Sequence, residues 1–409
     1  MRREHDSHNT YPDTMPPMTH KPTIVAWISD FPVEWLQDVP GSLKHLPRRH
    51  PATWQMVLLR EFQKDPRIKL HIILLRGQLE RDLEFELNGA VFHVLKASAR
   101  MRLASWFWLD THRIRKLCKE INPDLVHAWG SEKGASLIAR RLPYPYVMTI
   151  QGLFAWYKQI IKLPLYDRIV EVIERMSLRH APVVTTESNF AVKFLRDNFP
   201  GPRIHQAEHA PNHAFHGVQR QPLTQPMQFV AIGSVSHRKG TDLLYAAVEQ
   251  LSSEFDFKLT IITNPVPDYI DSLQPILSES TKGRIQFKHH LQPDQVAREL
   301  ETATMLLMPT RADTSPNAVK EAAVAGVPVV ASTVGGIPDY IVHDKNGLLF
   351  PPDDLNAFVE ALRAACAHPL FSKGLVDPAT LAKQREYLSP ELMARKFFDA
   401  YQSALALGR

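Results

Sequence analysis

Apolar residues along this chain gather in short runs, and between the runs they recur every three or four positions. The runs at 23–28, 70–75, 91–95, 125–128, 146–150 and 182–186 are rich in Val, Ile and Leu, which predicts buried strands. Amphipathic stretches such as 53–62 lie between most of them and predict helices. Strands apolar on both faces and separated by helices predict a parallel sheet covered on both sides, a doubly wound α/β domain. The polar segment 219–226, with Pro222 and Pro226, reads as a linker. Beyond it the alternation restarts, with apolar runs at 229–232, 259–262, 285–287, 305–308, 327–331 and 348–350 and a helix over 242–251. A second doubly wound domain is therefore expected. Ligands bind such sheets beyond the carboxyl ends of the strands, so two of them facing each other enclose an interdomain cleft.

Composition adds limits to this picture. A chain of 409 residues fits two domains, and no apolar run reaches the length of about 18 needed to cross a bilayer. Residues 1–21 are polar, carry prolines and lack the apolar core of a signal peptide, so they are expected to be a disordered tail. Cys118 and Cys366 give no disulfide framework, and a cytoplasmic location fits best. Charge is uneven: residues 1–220 hold 31 Lys and Arg against 22 Asp and Glu, or +9, and residues 221–409 hold 17 against 21, or −4, which sums to +5. The basic half is expected to face an anionic partner such as a lipid surface or a phosphorylated acceptor. The stretches 100–108 and 154–162 mix basic and aromatic residues, which suits a peripheral position at the inner membrane face. Core aromatics with surface cations beside them are the favoured reading of the same residues.

The densest chemistry lies at 305–336. A strand and a short loop lead to Ser315 and Pro316, which predict an N-cap and a first helical proline, and Gly326 and Pro328 give the stop. The free N–H groups of that helix should point into the cleft, where hydroxyls or a diphosphate can be held. Asp313 and Glu321 stand eight positions apart across the helix start. A carboxylate accepting two hydrogen bonds suits a vicinal diol, such as a ribose or a hexose edge. Taken singly, Asp313 also reads as a turn cap and Glu321 as a solvated helix residue.

Residues 313–321 resemble the acidic-x7-Glu motif of glycosyltransferase family 4. The resemblance implies the α/β GT-B fold, two Rossmann-like doubly wound domains facing an interdomain cleft. It places the transferred sugar on Asp313 and the loop Thr314, Ser315, Pro316 and Asn317, and the nucleotide ribose on Glu321. The segment 232–240, with Gly233, Ser234, Arg238 and Lys239, resembles the strand-loop that clasps the donor diphosphate; Lys239 falls on the family's Lys, and Ser234 stands where Arg is common. Gly335-Gly336 with Asp339 resembles the Gly-Gly-x-x-Glu turn, and Asn346-Gly347 and Pro211-Asn212 match two further family signatures. In the first half, 124–129 resembles an Asp-x-Val-His-x-His strand and 149–152 a Thr-x-His-Gly loop. These put His127, Gln151 and Gly152 on the acceptor or sugar side, with a buried strand histidine an equal reading for His127.

The resemblance further implies an acceptor-side domain of 22–218 plus 386–409 and a nucleotide-sugar domain of 226–385. The activity implied is transfer of a hexose-type sugar, with retention, from a nucleoside-diphosphate sugar to a hydroxyl acceptor, a glycan or lipid-linked glycan. Lys239, Asp313 and Glu321 would carry it. The donor is a substrate and no separate cofactor is expected, nor a nucleic-acid partner. No Asp-x-Asp occurs, and Pro211 interrupts the run of His205, His209, His213 and His216, so no metal site is expected. A sugar-nucleotide epimerase of the same fold and a catalytically silent nucleotide-sugar-binding module remain as rival readings.

Overall fold

The protein, in a computed structural model, is described over residues 21–46, 52–224, 226–264 and 267–408. The tail expected over 1–21 lies, Lys21 apart, outside the described residues.

The first sheet has eight strands: β1 (Thr23–Ile28), β2 (Ile68–Arg76), β3 (Leu83–Leu87), β4 (Ala90–Lys96), β5 (Leu125–Trp129), β6 (Tyr146–Thr149), β7 (Val183–Thr186) and β8 (Arg203–Gln206). Their spatial order is β3-β4-β2-β1-β5-β6-β7-β8. β1 lies at the centre, with Trp27 opposite Ile72 on one side and His127 on the other. All neighbours are parallel except β3, which pairs antiparallel with β4. Asn88 and Gly89 join those two strands with φ of 52° and 69°, the left-handed pair of a tight hairpin turn.

The second sheet has six parallel strands, β9 (Met227–Ile232), β10 (Phe257–Ile262), β11 (Ile285–Lys288), β12 (Met305–Met308), β13 (Val329–Ser332) and β14 (Gly347–Phe350), in the order β11-β10-β9-β12-β13-β14. Apolar clusters cover both faces of each sheet, which is why the strands read as continuous apolar runs.

The last helix, Pro390–Leu407, is capped by Ser389, whose hydroxyl accepts from the Leu392 amide at 3.2 Å. It returns to the first sheet and buries Met393, Phe397, Ala400, Tyr401 and Ala404 among Trp27, Phe62 and Trp129. Tyr401 Oη lies 3.0 Å from Trp27 Nε1, which donates to it, and 2.8 Å from His127 Nδ1. The segment read as a free linker is partly fastened. Arg220 donates to the carbonyls of Leu300, Glu301, Ala303 and Gly374, and burial pushes its pKa down to about 10. Among the described residues no helix is long and apolar enough to cross a membrane.

Candidate functional site

Between the two sheets lies a cavity of about 450 Å³. The second sheet contributes the segments just past the carboxyl ends of four strands: Gly233 and Ser234 after β9, Thr263 and Asn264 after β10, His290 and Leu291 after β11, and Asp313 after β12. The first domain contributes Trp35, Thr53, Trp54, Gln151 and Tyr157 from the opposite side. Of the residues singled out from sequence, Gly233, Ser234, Arg238, Lys239, Asp313, Ser315, Pro316, Asn317, Glu321 and Gln151 line this one cavity.

Lys239 Nζ donates to Asp313 Oδ2, whose other oxygen accepts from the Ser315 amide at 3.2 Å. Arg238 donates to the Ala312 carbonyl at 2.7 Å, and its guanidinium sits 3.9 Å from Asp313 and 5.6 Å from the centre of the Tyr157 ring. Two cations are thus held at one edge of the cavity by one carboxylate and one carbonyl.

Glu321 sits in the second turn of the helix Asn317–Ala325 and faces the cavity. No hydrogen bond to its carboxylate occurs among the described residues. Burial raises its pKa to about 7, with only the neighbouring Lys320 charge opposing. It is a carboxylate without a proton donor, in a cavity lined by polar groups.

Lys320 points the other way. It is 0% exposed and donates to Glu187 Oε2, in the residue that follows β7 of the first domain. Glu187 also accepts from Ser315 Oγ at 3.2 Å and lies 3.0 Å from His209 Nδ1. Burial alone would raise its pKa; the charges of His209 and Lys320 overcome this and hold it at about 2. His209 in turn stacks on Trp54 of the cavity wall, with ring centres 5.1 Å apart and planes 6° from parallel.

Further contacts cross between the domains. Tyr157 Oη and Thr314 Oγ1 share a hydrogen bond of 3.0 Å, Ser188 Oγ donates to the Thr314 carbonyl at 3.1 Å, and Asn189 donates twice to Asp339, at 2.7 and 3.1 Å. Glycines at 335 and 336 are required for this approach. Gly335 has φ of 55° with the Asp313 carbonyl 1.8 Å from where a Cβ would stand, and at Gly336 a Cβ would meet Ser188 at 2.5 Å.

Three sequence expectations need correction. His127 does not face the cavity: it is fully buried, with Nδ1 against Tyr401 and Nε2 2.6 Å from Thr149 Oγ1, and burial pushes its pKa well down so that it stays neutral. Gly152 and Thr314 border the site without lining it, and the Thr314 side chain is spent on the interdomain contact. Ser315 does not cap the helix. Pro316 holds the N-cap position and its ring offers no acceptor, while the Ser315 hydroxyl is engaged by Glu187 and by Tyr340 at 2.7 Å. Missed from sequence were Trp54, Tyr157, Phe215 and His290 in the wall and Glu187 behind it. The sequence signal available for Glu187 and Lys320 was a charge inside or beside an apolar element, which asks for a partner but does not name one.

Comparison with known proteins agrees with this architecture. Residues 56–210 match the model of "Glycosyltransferase Family 4" and residues 226–368 that of "Glycosyl transferases group 1". A 2-deoxystreptamine N-acetyl-D-glucosaminyltransferase of Niallia circulans is 22% identical over 274 residues, spanning 63% of this chain and 70% of the relative. Two further curated relatives are matched over only 30% and 41% of their own length. The sucrose-phosphate synthase structure from Thermosynechococcus elongatus superposes with a TM-score of 0.75 at 16% identity, over 94% of this chain and 100% of that one. HepE of Anabaena, solved in complex with UDP and glucose, superposes with a TM-score of 0.66 at 14% identity, over 94% of this chain and 100% of that one. With both halves matched by glycosyltransferase models, and two facing doubly wound sheets around one cleft, this chain belongs to glycosyltransferase family 4 and has the GT-B fold.

Proposed function

We propose that the protein transfers a hexose-type sugar from a nucleoside-diphosphate sugar to a hydroxyl acceptor, a glycan or lipid-linked glycan, with retention of configuration and without a metal. The observation that carries this reading is the convergence, in one cavity, of the unpartnered Glu321 carboxylate with the paired cations Arg238 and Lys239. A carboxylate for a diol and two cations for a diphosphate in one cavity suit a molecule that carries both groups. HepE, of the same fold, is solved with UDP and glucose together, which supports that type of donor.

In this reading Glu321 accepts both ribose hydroxyls, and the amides at the start of the helix Asn317–Ala325 face the donor's oxygens. Lys239 and Arg238 meet the diphosphate, whose charge grows as the bond from the sugar's anomeric carbon to the phosphate oxygen breaks. These two cations do the work a metal would do. The acceptor oxygen attacks the same face, its proton passes to the departing phosphate oxygen, and no enzyme nucleophile takes part. Asp313 is one methylene shorter in reach than the family's Glu. Here it turns back onto Lys239 and the Ser315 amide, which makes it a positioning residue for the phosphate cation as well as a neighbour of the sugar.

The test is a panel of nucleotide sugars with and without candidate acceptors, in the presence of EDTA. Transfer with the anomeric configuration kept is expected. Epimerised donor without acceptor, or inverted product, would overturn the proposal.

A further inference from the structure

The helix Leu165–Leu178 has two apolar faces. One is buried in the first domain and includes Val170, Ile173 and Leu178, with Glu171, Glu174 and Ser177 buried beside them. The other carries Leu165, Ile169, Val172 and Met176, whose four-three-four spacing makes a continuous stripe. A helix in a globular protein needs only the first of these. The second stripe lies in the open: Leu165 is 75% exposed, Val172 45% and Met176 36%. Beside it, Leu103 and Trp106 of the preceding helical segment close an open apolar groove of about 450 Å³ together with Leu165, Ile169 and Val172. Met101 and Trp108, each 55% exposed, stand on the same segment.

Positive charge predominates around this stripe; Glu171, which also lines the groove, is ion-paired to Lys158 and Arg175. Arg168, Arg175 and Arg179 lie along one flank of the helix, and Lys158 is on the groove wall. Residues 99–180 hold fourteen Lys and Arg against seven Asp and Glu. Of those seven, Asp110, Glu171 and Glu174 are buried. Arg168 and Arg179 take part in no ion pair among the described residues. An exposed apolar stripe bordered by arginines is what an anionic lipid interface accommodates, with apolar side chains below the headgroups and guanidinium groups among the phosphates.

We propose that the stripe on Leu165–Leu178, with the adjoining groove, docks the first domain onto an anionic membrane surface. The segment Phe154–Ile160 connects this face to the cleft: Tyr157 lines the cavity, and Lys158 lies on the groove. Docking therefore sets the cleft beside the bilayer, where an acceptor carried on a lipid would be presented. This inference goes beyond the transfer reaction and does not rest on it.

The experiment is co-sedimentation of the full chain with vesicles of phosphatidylcholine alone or mixed with phosphatidylglycerol, at low and high salt. The wild type is expected on the anionic vesicles at low salt and released by high salt. A cation near such a surface contributes about fivefold in affinity, so Arg168→Glu with Arg179→Glu should weaken binding by more than about tenfold. Leu165→Asp with Val172→Asp should do the same at any salt concentration. These side chains are exposed, and unchanged thermal unfolding together with unchanged nucleotide-sugar binding shows that fold and donor site are intact. Wild type that stays off anionic vesicles at low salt, or variants that bind as the wild type does, would overturn the proposal. So would light scattering that shows a dimer broken by Leu165→Asp, since the stripe would then be covered by a second copy of the chain.

Discussion

Glu321 gives donor binding a pH dependence whose sign and size follow from its surroundings. Its ordinary pKa of 4.5 is raised to about 7 by burial in the cavity. Only the ionised form accepts two hydrogen bonds from a diol, so the protonated fraction is a non-binding fraction. Between pH 8 and pH 6 the ionised fraction of a group titrating near 7 falls about tenfold, and the apparent Kd for a nucleotide sugar should rise by the same factor. The phosphates of a nucleotide sugar do not titrate in this range. Stability moves in the opposite sense. A raised carboxylate pKa means that the folded protein holds its proton more tightly than the unfolded chain does. The unliganded protein therefore loses stability as pH rises from the ordinary value through about 7, by about 3 kcal/mol in all. Glu321→Gln should consequently weaken donor binding, flatten its pH profile and stabilise the empty protein at pH 8. Calorimetric titration with a nucleotide sugar and thermal unfolding, each at pH 6 and 8, measure both effects. A Kd that does not move between the two, or a Glu321→Gln protein with the wild-type slope, would refute the assignment.

Lys239→Ala should lower kcat by about a hundredfold or more, the usual loss on deleting a preorganised group at a developing charge, while thermal unfolding changes little. Steady-state kinetics on the identified donor reads this. Lys320→Met leaves Glu187 charged and buried with His209 as its remaining charged partner, and should destabilise the protein by about 3–5 kcal/mol; Glu187→Leu added to it should restore most of the loss. Urea unfolding checks both. The depressed Glu187 pKa makes the pair's contribution full above the ordinary carboxylate value of 4.5 and lost as pH falls toward about 2, so the gap between wild type and Lys320→Met should narrow in acid. His127→Ala should destabilise by about 1–3 kcal/mol through the lost bonds to the Tyr401 and Thr149 hydroxyls, which keep Trp27 and Thr185 as partners, and leave the donor Kd unchanged, which separates an interior role from a cleft role.

The central strands were legible because burial on both faces leaves a run of apolar residues that needs no partner to be recognised. β3 and β8 were not. β3 alternates, with Glu84 and Glu86 exposed, and β8 is four residues long at the sheet edge with partly exposed side chains. The hairpin pair Asn88-Gly89 was the available signal for β3. On the donor side, Asp313 and Glu321 could be found from the strand, loop and helix start at 305–326 and Lys239 from the family resemblance of 232–240, and the cavity brings them together. The opposite wall comes from Trp35, Trp54 and Tyr157, separated in the chain, brought together by the fold of the first domain and set against the donor side only by the packing of the two domains. Ser315 shows the same limit in a single residue. Its local sequence favours a cap, and Glu187, 128 residues earlier, takes the hydroxyl.

The return of the helix Pro390–Leu407 to the first sheet has a consequence for biosynthesis. Trp27 emerges from the ribosome long before the side chains that close its side of the core, Phe397 and Tyr401 among them. The second domain, whose core draws on residues from Phe215 to Leu388, can pack while the first still waits with an apolar face open to solvent. The amino-terminal half is thus the later of the two to reach its final form, and a ribosome stalled anywhere before residue 393 releases a chain whose first domain lacks its closing helix.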